Sequence, residues 1–155
     1  MPKSIDLNDF SDFLANRVSG LYDNLEKMIK LCGDKVRSDI QYNMAHTPQN
    51  MERTYYTNNK TKGHHPSMPN NPPARDTGNL RESIRYEVHK EDKEVYGVVG
   101  STQKDPNYAV YTEYGTTKMA PRPWLRPAMK DNADFIKKTI AKAVKNTLTG
   151  EGETE

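Results

Sequence analysis

Apolar residues recur every three or four positions from Leu7 to about Met44. Leu7, Phe10, Leu14, Val18, Leu21, Leu25, Met28, Cys32, Val36 and Ile40 form one stripe, which is the pattern of a long amphipathic helix near heptad spacing. Asp6 or Asn8 is placed to cap its start. Gly20 and Gly33 each cost about 1 kcal/mol relative to Ala inside a helix, so the pattern allows a bend there. A stripe of this kind packs first on the domain's own sheet, and its length also suits a neighbouring subunit. From His46 to Ala74 the period vanishes. Pro48, Pro66, Pro69, Pro72 and Pro73, with two Asn-Asn pairs, exclude a helix. A loop over 46–75 in a small domain is either functional or disordered. Met51, Tyr55, Tyr56 and Met68 give it side chains suited to a partner, so the loop is expected to order on assembly.

The period then changes. Asp76 to Ser83 reads as a short helical turn with Asp76, Thr77 and Gly78 as its cap. Ile84, Tyr86 and Val88 alternate with Arg85, Glu87 and His89, the signature of a half-buried strand. A charged turn over Lys90 to Glu94 leads to a second strand, Val95 to Val99, and the two form an antiparallel hairpin. Tyr108 to Tyr114 fits a strand or a short helix equally, and Gly115 ends it. Arg122 to Arg126 reads as extended, because Pro123 and Pro127 bias the residues before them away from the helical region. Pro127 suits the first turn of a last helix. That helix buries Met129, Ala133, Ile136, Ile140, Ala143 and Val144 and turns Lys138, Lys142 and Lys145 outward. The sum is an α+β fold: a long N-terminal helix and a C-terminal helix packed on a small antiparallel sheet, with a long loop. One domain spans 1–149, and 150–155 is an acidic flexible tail.

Composition makes that core thin. Only 34% of the 155 residues are hydrophobic, a low fraction for a globular domain. The 23 basic and 21 acidic residues give a net charge of +2, which argues against tight nucleic-acid binding by the domain as a whole. The charge is uneven, however: Lys118 to Lys145 holds eight basic and two acidic residues. Cys32 is the only cysteine, so neither an internal disulfide nor a cysteine-based zinc site is available. No apolar run reads as a signal peptide or membrane span. Synthesis in a reducing, cytosolic compartment is the expectation, with no membrane partner.

Asp76-Thr77-Gly78 is the most chemical-looking triplet, since Asp-Thr-Gly carries the paired carboxylates of aspartic proteases. There it follows an apolar strand. Here it follows Pro72-Pro-Ala-Arg75, so a helix cap is the better reading. His46 and the pair His64-His65 lack acidic or cysteine partners at ligand spacing, and no cofactor is expected. The Lys138, Lys142 and Lys145 face is a solvated helix face or a surface for DNA. Arg122, Trp124 and Arg126 combine the residue types that anchor interfaces with a proline-stiffened backbone, although Trp124 suits a core position equally.

Four motifs occur in order: Pro-Ala-Arg-Asp-Thr-Gly-Asn-Leu-Arg-Glu-Ser-Ile at 73–84, Val-Val-Gly at 98–100, Tyr-Ala-Val-Tyr-Thr-Glu-Tyr-Gly-Thr at 108–116, and Ala-Pro-Arg-Pro-Trp-Leu-Arg-Pro-Ala at 120–128. This order resembles the gene-product-ten-like family of head–tail joining, or tail-completion, proteins of long-tailed bacteriophages. The resemblance runs from Pro72 to the last helix. It implies a virion protein of the neck or tail that forms a ring with copies of itself. It also implies contact with a head-closure protein and with a tail terminator or tail tube protein, passage of double-stranded DNA, and no enzymatic chemistry. The long loop and Arg122 to Arg126, with Tyr55 and Tyr56, are the expected interface, and Lys138, Lys142 and Lys145 the expected channel face. The competing classes are an aspartic-protease-like or nuclease enzyme and a nucleic-acid-binding module.

Overall fold

In the computed structural model, residues 6–52, 54–56, 63–75, 77–92, 94–103 and 106–149 are described. The stripe folds as one unbroken 40-residue helix, α1 (Leu7–His46), and the Asp6 side chain caps it by accepting the Asn8 N–H. Two-residue strands β1 (Tyr55–Tyr56) and β2 (Gly63–His64) follow, then α2 (Asn79–Ser83), β3 (Ile84–Glu91), β4 (Glu94–Ser101), α3 (Pro106–Tyr114), α4 (Leu125–Asp131) and α5 (Ala133–Thr149). The architecture is α+β, as the patterning implied.

β3 and β4 pair antiparallel over their whole length, from Ile84 opposite Ser101 to Glu91 opposite Glu94. This register puts Tyr86, Val88, Val95 and Val99 on the face toward α1, in keeping with the period of two. Two glycines set how closely the helix lies on the hairpin. A Cβ on Gly33 would stand 2.6 Å from the Tyr86 ring, and one on Gly97 would stand 2.8 Å from the Ile29 side chain. Gly33 therefore marks a close approach between helix and sheet and leaves α1 continuous. Ala at this site gains about 1 kcal/mol of helix propensity but must displace the Tyr86 ring, at an overpacking cost of about 1–3 kcal/mol. Gly33→Ala is expected to lower the thermal midpoint despite its better propensity, which a calorimetric scan of the two proteins checks.

α5 runs antiparallel along another side of α1. The Asn132 side chain donates to Asp39 at 2.9 Å, Arg17 donates to the Thr147 carbonyl at 2.7 Å, and Asn24 donates to the Thr147 hydroxyl at 2.9 Å. The Asp39 carboxyl is opposed by burial, but Lys35 and Asn132 hold it below its ordinary range. Around the last turns of α1 sits the core: Val36, Ile40 and Met44 against Leu80, Ile84, Ala109, Trp124 and Ala128.

Three expectations change. The last helical segment begins at Leu125 and is divided at Asn132 into α4 and α5. Met129, expected on its buried face, is 42% exposed, whereas Ala143 and Thr147 are buried. The loop after α1 is not wholly irregular: Tyr55 pairs with His64, Tyr56 with Gly63, and Gln49 bridges to Ser67. The segment thus doubles back as a narrow ribbon. Its base is held where Arg122 donates to the Ser67 carbonyl and the Asn70 N–H donates to the Pro121 carbonyl.

Candidate assembly surface and its internal support

Residues 120–126 link the ribbon base, α3 and α4, and one carboxylate organises them. Glu113 lies at the end of α3 and is only 3% exposed. It accepts the backbone N–H groups of Trp124 at 2.7 Å, Leu125 at 2.9 Å and Arg126 at 3.1 Å, and the Arg126 Nε at 2.8 Å. These three N–H groups are orphan donors at the start of α4. Trp124, at the cap position, has no side-chain cap bond of its own, so a carboxylate from another helix does the capping. Its negative charge also sits at the positive end of the α4 dipole. Burial works to raise the Glu113 carboxyl, but the Leu125 and Trp124 amides, with Arg126, hold it below the ordinary range.

The surrounding bonds fix the turn. Gly115 has φ +78°, and a Cβ there would meet the Met119 carbonyl at 2.8 Å. The Arg122 N–H donates to the Thr112 carbonyl at 2.7 Å. Arg126 reaches back to the Glu113 carbonyl and lies over the Tyr114 ring, 4.6 Å from its centre. Within the segment Ala120 to Ala128, the three candidate contact residues therefore divide. Trp124 is 5% exposed, with its indole N–H donated to the Ala109 carbonyl, and Arg122 is 8% exposed. Both support the segment from within. The Arg126 side chain is 56% exposed, and with Tyr108, Tyr111 and Tyr114 it makes an aromatic surface with one guanidinium. Tyr55 and Tyr56 are placed by their backbone on the ribbon, and their side chains lie outside the described part.

At α2 the cap divides as well. The Thr77 hydroxyl accepts the Asn79 N–H at 3.3 Å, and Gly78 takes the cap position with φ +89°. Asp76 lies outside the described residues. Residues 72–75, which precede it, form no strand. Lys138, Lys142 and Lys145 are exposed along α5 and form no ion pair among the described residues. Cys32 is buried against Thr139, and burial raises its thiol pKa. Among the described residues no helix is long and apolar enough to cross a membrane.

Glu113 is the functional residue that sequence reading missed. The available signal was a helix start at Leu125 with no Ser, Thr, Asp or Asn before it, which demands an acceptor from elsewhere. The acceptor is an acidic residue in an otherwise aromatic segment.

The buried polar groups are thus used to hold a turn together, while aromatic, arginine and lysine side chains are presented outward. The comparison with known families places the chain. Residues 15–115 match the family described as "Bacteriophage HK97-gp10, putative tail-component", and the chain belongs to it. The match takes in most of α1, the ribbon, the hairpin and α3, and stops before the Ala120–Ala128 motif. No curated protein and no solved structure matches the chain.

Proposed function

We propose that this phage tail component is a subunit of a ring at the head–tail interface, in the neck or as a tail-completion protein, through which double-stranded DNA passes. The observation that carries the reading is the family membership over residues 15–115. Its partners are copies of itself, a head-closure protein, and a tail terminator or tail tube protein. Its place is the virion, and its synthesis is in the host bacterial cytoplasm. Exposed Arg126 contributes to the contact surface, Arg122 and Trp124 brace it from beneath, and the ribbon bearing Tyr55 and Tyr56 supplies another part.

A channel for DNA needs modest positive charge, since strong phosphate contacts would hold the genome in place. The exposed row of Lys138, Lys142 and Lys145, which forms no ion pair among the described residues, supports the α5 face for that role. Changing all three to Glu is expected to leave the subunit folded. Genome delivery should fall at least tenfold, as counted by infectious units per assembled particle. Unchanged delivery would remove α5 from the channel.

A further inference from the structure

The first turns of α1 project beyond their own domain. Arg17 marks the last described bond between α1 and α5 in that direction. Leu7 to Asn16 are all exposed and extend about 15 Å further at 1.5 Å per residue. The projection is not a polar extension: Leu7 is 84% exposed, Phe10 48%, Leu14 46% and Val18 52%. These four residues share one helical face, the spacing by which a helix anchors in a groove.

The same chain holds an apolar groove open. It lies between the hairpin and α4–α5, is floored by Ile29 and Val36 of α1, and is walled by Val95, Val99, Met129 and Ile136. Its volume is about 250 Å³. Met129 on its wall and Val98 and Tyr96 beside it are 40–51% exposed. The projecting turns cannot fold back into this groove, because they belong to the same unbroken helix that forms its floor.

The charges agree with a second copy as the occupant. The projecting turns carry Asp9 and Asp12, and α4–α5 carry Lys130, Lys137, Lys138, Lys142 and Lys145 against Asp131 and Asp134, a net positive charge. None of these forms an ion pair among the described residues. Opposite fields on the two elements steer one copy's helix toward the next copy's groove.

We infer that residues 7–18 of one copy dock, apolar face down, in the α1–hairpin–α4 groove of the next copy. Such a contact joins two different patches, so it is heterologous and generates a ring or an open chain of subunits. It deepens the ring reading and rests on it only for closure.

The test uses the full-length chain with Cys32→Ser as background. Phe10→Cys and Met129→Cys are made separately, mixed and oxidised at high protein concentration. Asp12→Cys, on the opposite side of the helix, replaces Phe10→Cys in the control. All substituted sites other than Cys32 are exposed, and circular dichroism checks that each variant retains its helix content. The expected result is at least tenfold more disulfide-linked dimer from the Phe10→Cys plus Met129→Cys mixture than from the control. The double variant in one chain should give a ladder of higher multimers. Equal cross-linking in mixture and control would overturn the contact, as would linkage of the groove to a different phage protein in its place. Electron micrographs separate the two readings. Rings without this cross-link would leave the ring standing and remove the interface. Ladders that form only open filaments would leave the interface standing and remove the ring.

Discussion

Replacing Glu113 by Gln is expected to lower folding stability by about 3 kcal/mol, although the exchange is nearly isosteric. The carboxylate accepts four hydrogen bonds, and a bond to a charged group contributes about 1.5–3 kcal/mol net. An amide keeps one good acceptor and turns an N–H₂ toward the remaining donors, leaving buried N–H groups of α4 unpaired. Arg126 then loses its ion pair and keeps only its bond to the residue-113 carbonyl and its contact with Tyr114, so the turn loosens. Denaturant titration of the two proteins gives the difference directly, and a change below about 1 kcal/mol, the typical worth of an ordinary hydrogen bond, would mean that the capping role is overstated.

The same residue sets a pH dependence whose sign follows from its depressed pKa. The unfolded chain carries an ordinary Glu value of about 4.3, and the folded value lies below it. Glu113 therefore contributes its full stabilisation above about pH 4.3, and that contribution is lost as pH falls toward and through the folded value. Wild type should lose stability steeply below pH 4.3. The Gln variant should lose it less steeply in that window, because it lacks this titration. Parallel curves for the two proteins would contradict the assignment.

Trp124→Ala is the second large expected effect, with a loss of about 3–5 kcal/mol for a buried aromatic. The indole belongs to the core cluster with Val36, Ile40, Ile84, Ala109 and Ala128, so its removal opens a cavity at the meeting point of α1, α3 and α4. The result separates two roles. A core residue costs stability in the isolated chain, whereas a pure contact residue costs only assembly. Trp124 is the only tryptophan, so its own emission should be blue-shifted in the folded wild-type chain and move to longer wavelength on unfolding. Exposed-type emission from the native chain would return Trp124 to the surface.

What the sequence made legible was whatever has a period and a buried face. The α1 stripe and the Ile84, Tyr86, Val88 alternation both survive in the fold. The exposure of the first α1 turns was not legible, because Leu7, Phe10 and Leu14 keep the same spacing whether a partner covers them or water does. Tyr108 to Tyr114 resisted assignment for the opposite reason. Its large side chains, Tyr108, Tyr111 and Tyr114, face outward, while the buried positions are Ala109, Thr112 and Glu113, so hydrophobicity misreports its inner face. The pairing of Tyr55 with His64 and Tyr56 with Gly63 spans two residues per strand, too few for an alternation to be read. Glu113 was hidden because a capping acceptor from another element has no fixed spacing from the helix it caps.

The central claim is a position in the particle, and a label tests it most directly. Virions assembled with a small epitope tag after Glu155 can be decorated with gold-labelled antibody and viewed by electron microscopy. The account predicts gold at the junction of head and tail, in a collar consistent with a ring of subunits. Gold only at the distal tail tip, or assembled particles carrying no label, would contradict it.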